Sequence, residues 1–412
     1  MRAILLTIGD EILIGQILNS NAQWMSDELT GLGVQVTQHI TVGDHEAEIV
    51  QALDSVVPKA DFLIVGGGLG PTHDDITMKV LSHYFETPLE YDADWLAQLE
   101  AFFKSRNRPM TENNKKQAYL LKGATRIDND CGTAAGQHFT ADGTQIFVVP
   151  GVPHEMKSMM KRYILPFIAT KNPSERILKQ TLLTTGIGES ALATRCEPFV
   201  QKVKARSDLT LAFLPSTTQV KLRLQMKSAD ANARKEFDAL ISELIEYCGK
   251  DFFGTDPTSI EQIIFDRLKQ NHETLALAES CTGGYISHRL TQIPGISAVL
   301  KGSMVVYQTE LKTKEVGISE AFLEKNGAVS EASVRAMAES IRQKWNSTYG
   351  LATTGYLGPT GGDERAPLGT VWIALSSKTR TESSEFHFEA NRERAKERAT
   401  QAALDLLRRT LS

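Results

Sequence analysis

Short apolar runs alternate with amphipathic stretches along most of the chain. Residues 3–8 (AILLTI), 34–42 (VQVTQHITV) and 61–68 (DFLIVGGG) read as strands, and residues 19–32, 46–57 and 76–86 as helices between and after them. Residues 143–168 repeat the form as strand, turn and helix. Such alternation predicts βαβ units and a mostly parallel sheet covered on both faces. The pattern changes near residues 171–173. From there the reading is strand (177–185), the turn GIGES, helix (191–203), two strands (209–216, 219–227) and helix (231–249), a small α+β unit. Residues 251–259 (DFFGTDPTS) read as a linker, with a helix N-cap at Thr258 or Ser259. A second α/β block then runs to the C-terminus. The expected fold class is therefore α/β, with domains at 1–170, 171–254 and 255–412.

Totals narrow the function classes. A chain of 412 residues is too long for one ordinary core. With 41% hydrophobic and 23% charged residues it has a globular composition, and a net charge of −5 gives no global footprint for nucleic acid. Four scattered cysteines form no CxxC pair, which argues for reduced thiols and against a zinc ribbon. Asp10 and Glu11 interrupt the apolar N-terminus before a signal segment matures, and no run reaches the length of a membrane span. The expectation is a cytoplasmic protein with no membrane partner and no direct nucleic-acid contact.

Two constellations carry chemistry. In FLIVGGGLGPTHDDIT (62–77) a strand stops in glycines and a helix leaves them. Gly66, Gly67, Gly68 and Gly70 expose main-chain N–H groups to an oxyanion, and Thr72 adds a hydroxyl. Asp74 and Asp75 would repel that anion unless a divalent cation lies between, because hard cations take oxygen ligands. Asp10 and Glu11, after the first strand, fall at the same C-terminal sheet edge. The VPGVPHEM turn, with Pro150, Gly151 and Glu155, closes the site from another strand. Dipole-matched caps and tight turns are the bland alternative for each piece.

The second constellation is LAESCTGG. Ser280, Cys281 and Thr282 stand where a strand gives way to Gly283, Gly284 and a helix, so a nucleophile there would have a helix N-terminus beneath it as an oxyanion site. Ser280 is favoured over Cys281, which reads as buried and inert. His272, His288 and His387 look structural, leaving Tyr307 and Lys312 as proton carriers, since burial lets a lysine act as base. Thr354 and the turn GYLGPTGG, with Gly355, Gly358, Gly361 and Gly362, add donors of the phosphate-cradling kind. Arg392 could hold a phosphate bidentately.

In order and spacing, TIGDEILIG with NSN at 19–21, GGLGPTHDDIT, NDCGTAAG and PGVPHEM resemble the N-terminal domain of the CinA (competence/damage-inducible) family. The resemblance implies a molybdopterin-binding-like α/β fold and ADP-ribose pyrophosphatase activity dependent on a divalent metal (Mg²⁺, Mn²⁺ or Co²⁺). It draws Gly132 and Thr133 into the substrate loop. Ala135 and Gln137 stand where the family pattern has proline and an aromatic residue. Asp75 is carried both as metal ligand and as catalytic carboxylate. The middle segment resembles the family's KH-type module.

From about 258 to 411, LAESCTGG, Tyr307 with Lys312, GAVSE, TG-x₂-GP-x-GG and GTVW resemble the CinA C-terminal domain. The implied activity is hydrolysis of the nicotinamide mononucleotide carboxamide, giving nicotinate mononucleotide and ammonia. It needs no cofactor and uses Ser280, Tyr307, Lys312, Thr354 and Arg392. YQTELK replaces YSNEAK, and Tyr356 stands in place of isoleucine. The resulting expectation is a bifunctional hydrolase of pyridine-nucleotide salvage, acting on nicotinamide mononucleotide and ADP-ribose as a homodimer. Two rivals stay open: a non-catalytic pterin- or nucleotide-binding N-terminal domain, and an adaptor in competence or DNA damage.

Overall fold

The computed structural model describes residues 1–171, 176–228, 230, 232–388 and 391–411. They form two compact units, Met1–Leu178 with Met226–Arg234, and Lys179–Gln225 with Lys235–Ser412. The boundary expected at 171–173 falls largely outside the described residues. Among the described residues no helix is long and apolar enough to cross a membrane.

The first unit is built on β1 (Arg2–Ile8), β2 (Gln35–Val42), β3 (Phe62–Gly66), β4 (Leu89–Tyr91), β5 (Tyr119–Leu121), β6 (Thr125–Ile127), β7 (Gly136–Ala141) and β8 (Thr144–Val149). Its main sheet runs β2-β1-β3-β8-β7-β6, and β4 and β5 form a separate antiparallel pair. Strands β2, β1, β3 and β8 are mutually parallel, β7 turns back antiparallel to β8, and β6 reverses again at the edge. Both faces are covered, and the period of two shows it. Ile4, Leu6 and Ile8 of β1 join Leu63, Val65, Ile146 and Val148 on one face. Ala3, Leu5, Phe62, Ile64, Phe147 and Val149 face the other. The register sets Thr7 opposite Gly66 and Gly66 opposite Val149. The segments after β1, β2, β3 and β8 therefore emerge side by side at one edge, where open parallel sheets bind ligands.

Mostly in the second unit, β9 (Arg176–Thr184), β10 (Leu209–Pro215), β11 (Val220–Ser228) and β12 (Phe252–Thr255) make a sheet of order β10-β11-β9-β12. The reading of 251–259 as a linker is corrected here, because β12 pairs antiparallel with β9 as an edge strand. The helix expected at 191–203 is two, Glu189–Arg195 and Glu197–Lys204, meeting at Cys196. Pro198, which has no N–H to continue the ladder, sits in the first turn of the second. Ser259 caps the next helix, accepting from the Gln262 N–H at 3.2 Å.

The last sheet has the order β14-β13-β15-β16-β17, from β13 (Leu275–Glu279), β14 (Leu300–Val305), β15 (Tyr349–Gly355), β16 (Thr370–Ser376) and β17 (Thr381–His387). β13 lies parallel between β14 and β15, with Glu279 level with Val305 and Thr353. Ser280, Tyr307 and Gly355 thus leave the same edge.

The long final helix, Arg392–Thr410, starts at that edge and ends against the middle module. There Asp251, 3% exposed, accepts from Arg195 (2.9 Å) and Arg409 (3.0 Å), while Asp405 accepts from Arg408 and Arg409. Arg408 also donates to the Lys250 and Phe252 carbonyls. The GIGES turn lies under this cluster: a Cβ on Gly186 would sit 3.0 Å from the Arg409 guanidinium.

Candidate functional sites

At the edge of the first sheet lies a cavity of about 630 Å³. Of the predicted residues, Asp10, Glu11, Gly67, Gly68, Gly70, Asp74, Asp75, Thr133, Pro150, Gly151 and Glu155 line it. The glycine turn is sterically required. Gly67 (φ +110°) and Gly68 (φ +66°) adopt left-handed backbone, and a Cβ on them would run into the Ile8 carbonyl and the Thr77 hydroxyl respectively. Thr77 donates to the Gly67 carbonyl at 2.9 Å and locks the turn.

Asp75 has a local task. Its Oδ1 accepts the Gly70 N–H at 2.6 Å, and its Oδ2 accepts the Thr72 N–H (2.8 Å) and hydroxyl (2.5 Å). Both carboxylate oxygens, and the Thr72 hydroxyl expected to bind phosphate, are engaged inside the loop. Asp74 is exposed and pairs with His73 at 2.7 Å. Glu155 accepts from Asn129 at 2.6 Å, and its carboxyl fills the space a side chain at Gly132 would need.

One acidic residue was missed. Asp44, after β2, lines the cavity and accepts the Asp10 N–H at 3.1 Å, while its own N–H donates to Asp10 Oδ1 at 3.4 Å. Burial, then the charges of Asp10, Glu11 and Asp75, raise its carboxyl above the ordinary range, against the lowering effect of the Asp10 N–H. The signal was in the sequence: Gly-Asp follows β1 at 9–10 and β2 at 43–44.

Crowded carboxylates suit a hard divalent cation in donor chemistry. Among the described residues no three His, Cys, Asp or Glu side chains converge into a ready cage. A magnesium-type ion needs none, since it binds through one or two carboxylates, waters and substrate phosphate.

The second cavity, about 450 Å³, opens at the edge of the last sheet. Ser280, Cys281, Tyr307, Lys312, Gly355, Tyr356, Gly358 and Arg392 line it. Lys312, on the helix Thr309–Lys314, is 3% exposed and its Nζ lies 3.3 Å from Ser280 Oγ. Burial holds its ammonium below the ordinary 10.5. The same burial pushes the Cys281 thiol up to about 12, and of the two neighbours Ser280 is the one hydrogen-bonded to Lys312. Arg392 donates to the Gly358 carbonyl at 2.6 Å and to the Tyr307 hydroxyl, which orients the guanidinium at the mouth.

Three predicted donors are placed otherwise. Thr354 is fully buried and donates to the Ala328 carbonyl at 2.9 Å. Thr282 donates to Glu279 at 2.8 Å. The helix N-terminus expected beneath an oxyanion is already filled: Glu279, fully buried, accepts the N–H groups of Gly284, Ile286 and Ser287 at 2.9–3.1 Å. Gly283 and Gly284 take the left-handed turn this capping needs, and Gly361 and Gly362 are likewise left-handed. An acid closing an apolar strand (LALAE) was the overlooked sign of Glu279.

Fold and sites together define a class of three-part α/β protein: a molybdopterin-binding-like domain, a KH-like module and a domain carrying a buried serine–lysine pair. Comparison agrees. The sequence matches the "Probable molybdopterin binding domain" family over residues 4–170, the "Damage-inducible protein CinA KH domain" over 179–254 and the "CinA C-terminal domain" over 257–411. The chain belongs to the CinA family. It is 38% identical to a CinA-like protein of Salinibacter ruber over the whole of both chains. It is 39% identical to one of Gloeobacter violaceus, over 99% of this chain and 96% of that one. Among solved structures it is similar to a competence or damage-inducible protein from Enterobacter asburiae, 31% identical over 38% of this chain and 99% of that one, TM-score 0.36.

Proposed function

We propose that the C-terminal cavity hydrolyses the carboxamide of a pyridine mononucleotide, nicotinamide mononucleotide, to the acid and ammonia. The observation that carries this reading is the buried Lys312 Nζ within hydrogen-bond reach of Ser280 Oγ. With its proton affinity lowered by burial, Lys312 in its neutral form takes the Ser280 proton as Oγ attacks the amide carbon. The proton then passes to the departing nitrogen, and water, deprotonated by the same amine, releases the acid. Arg392, fixed by Gly358 and Tyr307, faces the 5′-phosphate. The test is ammonia release from nicotinamide mononucleotide by the wild type beside Ser280→Ala. Release abolished by the substitution supports the reading, and no release by folded wild type overturns it.

For the N-terminal cavity we propose binding and cleavage of a nucleoside diphosphate sugar such as ADP-ribose. Asp10, Glu11 and Asp74 are the carboxylates that would hold a divalent cation, which when bound supplies Lewis-acid polarisation of a phosphoryl oxygen. The turn at Gly67–Gly68 would lie against the diphosphate. A non-catalytic binding domain is the second reading, favoured by the engagement of both Asp75 oxygens inside the loop. Liberation of AMP from ADP-ribose in Mg²⁺, Mn²⁺ or Co²⁺ separates the two. A cytoplasmic homodimer without direct nucleic-acid contact is part of the same proposal.

A further inference from the structure

Nicotinamide mononucleotide carries a positive charge on its ring nitrogen. Among the described residues, the cavity at the edge of the last sheet is lined by two basic side chains, Lys312 and Arg392, and by no aspartate or glutamate. Glu279, behind the Ser280 turn, is fully buried, and both its oxygens accept main-chain N–H groups. A cationic ring entering there meets no free carboxylate, so another group must offset its charge, and an aromatic face does so through its quadrupole. Two tyrosines border the cavity. Tyr307 is 54% exposed, and its hydroxyl is tied to Arg392 at the mouth. Tyr356 is half-buried, and strand register places it. β13 and β15 run parallel with Glu279 level with Thr353, so Ser280 stands beside Thr354. Ala276, Ala278 and Ala352 pack on one face of the sheet, and counting on in twos puts Ser280, Thr354 and Tyr356 on that face. The ladder runs through Tyr356: its N–H donates to the Thr370 carbonyl at 2.9 Å, and its carbonyl accepts the Gly369 N–H at 2.8 Å. Tyr356 therefore lies two residues, about 7 Å, beyond the nucleophile on the neighbouring strand, within reach of a ring bonded to the carbon that Ser280 attacks. Its own ring leans on the glycine turn, where a Cβ on Gly361 (φ +103°) would come within 3.2 Å of Cδ1. Asp363 caps the Arg365 and Ala366 N–H groups at 2.8 and 2.9 Å. Burial, then the Asp363 charge, raise the Tyr356 hydroxyl above its ordinary 10.0, so the side chain stays neutral and offers π density.

We infer that Tyr356 is the residue that selects a cationic ring in the C-terminal cavity, holding a pyridinium against its face by cation–π attraction. This rests on the amidase reading given above. It adds the group that recognises the charge of the substrate ring, apart from the groups that act on its carboxamide or hold its phosphate.

The test compares nicotinamide mononucleotide with the 5′-phosphate of benzamide riboside, a neutral ring of the same outline bearing the same carboxamide. The first is assayed by ammonia release and the second as its competitive inhibitor. Cation–π attraction is worth about two- to thirtyfold in affinity, so Tyr356→Leu should raise KM for nicotinamide mononucleotide about tenfold. Its kcat, and the inhibition constant of the neutral ring, should each change by less than about threefold. Tyr356→Phe, which keeps the aromatic face, should stay within about threefold of wild type in all three constants. A Tyr356→Leu variant that weakens both ligands equally, or neither, overturns the inference and leaves the amidase reading standing. No ammonia from folded wild type overturns both. If Tyr356→Leu does not fold, wild type decides alone: a neutral ring held about tenfold more weakly than the substrate supports the inference, and one held as tightly overturns it.

Discussion

Replacing Lys312 with methionine should make the C-terminal domain more stable and nearly inactive. The side chain is 3% exposed, and its hydrogen bond is to a neutral hydroxyl, Ser280 Oγ, at 3.3 Å. Among the described residues no carboxylate forms an ion pair with it; the pair on its helix is Lys314–Glu310, at 3.8 Å. A buried ammonium without a counter-charge opposes folding, and an apolar chain of similar length removes that cost, a gain of about 1 kcal/mol or more at neutral pH. The pH dependence has a definite sign. Because burial lowers the lysine's pKa in the folded state, the unfolded chain binds the proton more strongly. Wild-type stability therefore rises with pH up to the unfolded value near 10.5 and falls as pH drops toward the folded one. The advantage of Lys312→Met should be largest near neutrality and shrink by about pH 10. Urea unfolding followed by fluorescence reads it, since Trp345 and Trp372 pack on the core beside that helix. Ammonia release should fall about a hundred- to ten-thousandfold, the range for loss of a general base. A variant less stable than wild type by about 1 kcal/mol, or a gap that does not narrow at high pH, would refute the claim that an unpaired lysine is held there for chemistry.

Gly67→Ala should lower the stability of the first unit by about 2 kcal/mol or more, from left-handed backbone and the Ile8 carbonyl, and abolish its diphosphate binding. Ammonia release by the C-terminal domain should persist, and calorimetry beside the ammonia assay checks both. Asp251→Asn should cost the second unit about 1–2 kcal/mol in urea, below the usual loss for a broken buried pair, because Arg195 and Arg409 are 42% and 31% exposed and regain water. Treatment with EDTA should stop ADP-ribose cleavage, measured as AMP, and leave ammonia release intact. Loss of both activities would show that the C-terminal chemistry also needs a metal.

The parallel strands and their shared edge were legible because buried strands have no polar alternation and glycines mark where they stop. That Ser280, Tyr307 and Arg392 line one cavity was legible for a related reason: each lies just past a strand or at a helix start, where order in the chain implies position in space; Lys312, in the last turn of its helix, was carried by its spacing from Tyr307. What escaped depends on where a side chain spends its hydrogen bonds. Thr354, Thr282 and Asp75 were assigned outward roles by residue type, yet their polar atoms are taken by Ala328, Glu279 and the 70–72 backbone. β12 was read as linker because Gly254 and Pro257 are turn residues, yet an edge strand paired on one side tolerates the glycine and Pro257 falls beyond its end.

The helix Arg392–Thr410 borders the C-terminal cavity with its first residue and the middle module with its last turn. That constrains how such a chain can be divided in evolution. A descendant keeping only residues after about 257 would bring Asp405, Arg408 and Arg409 into water with Asp251 and the Lys250 and Phe252 carbonyls gone. Acids and arginines chosen for mutual pairing would then be free to drift. A free-standing relative of the last domain should therefore carry unrelated residues at those three places while keeping the arginine that opens the helix.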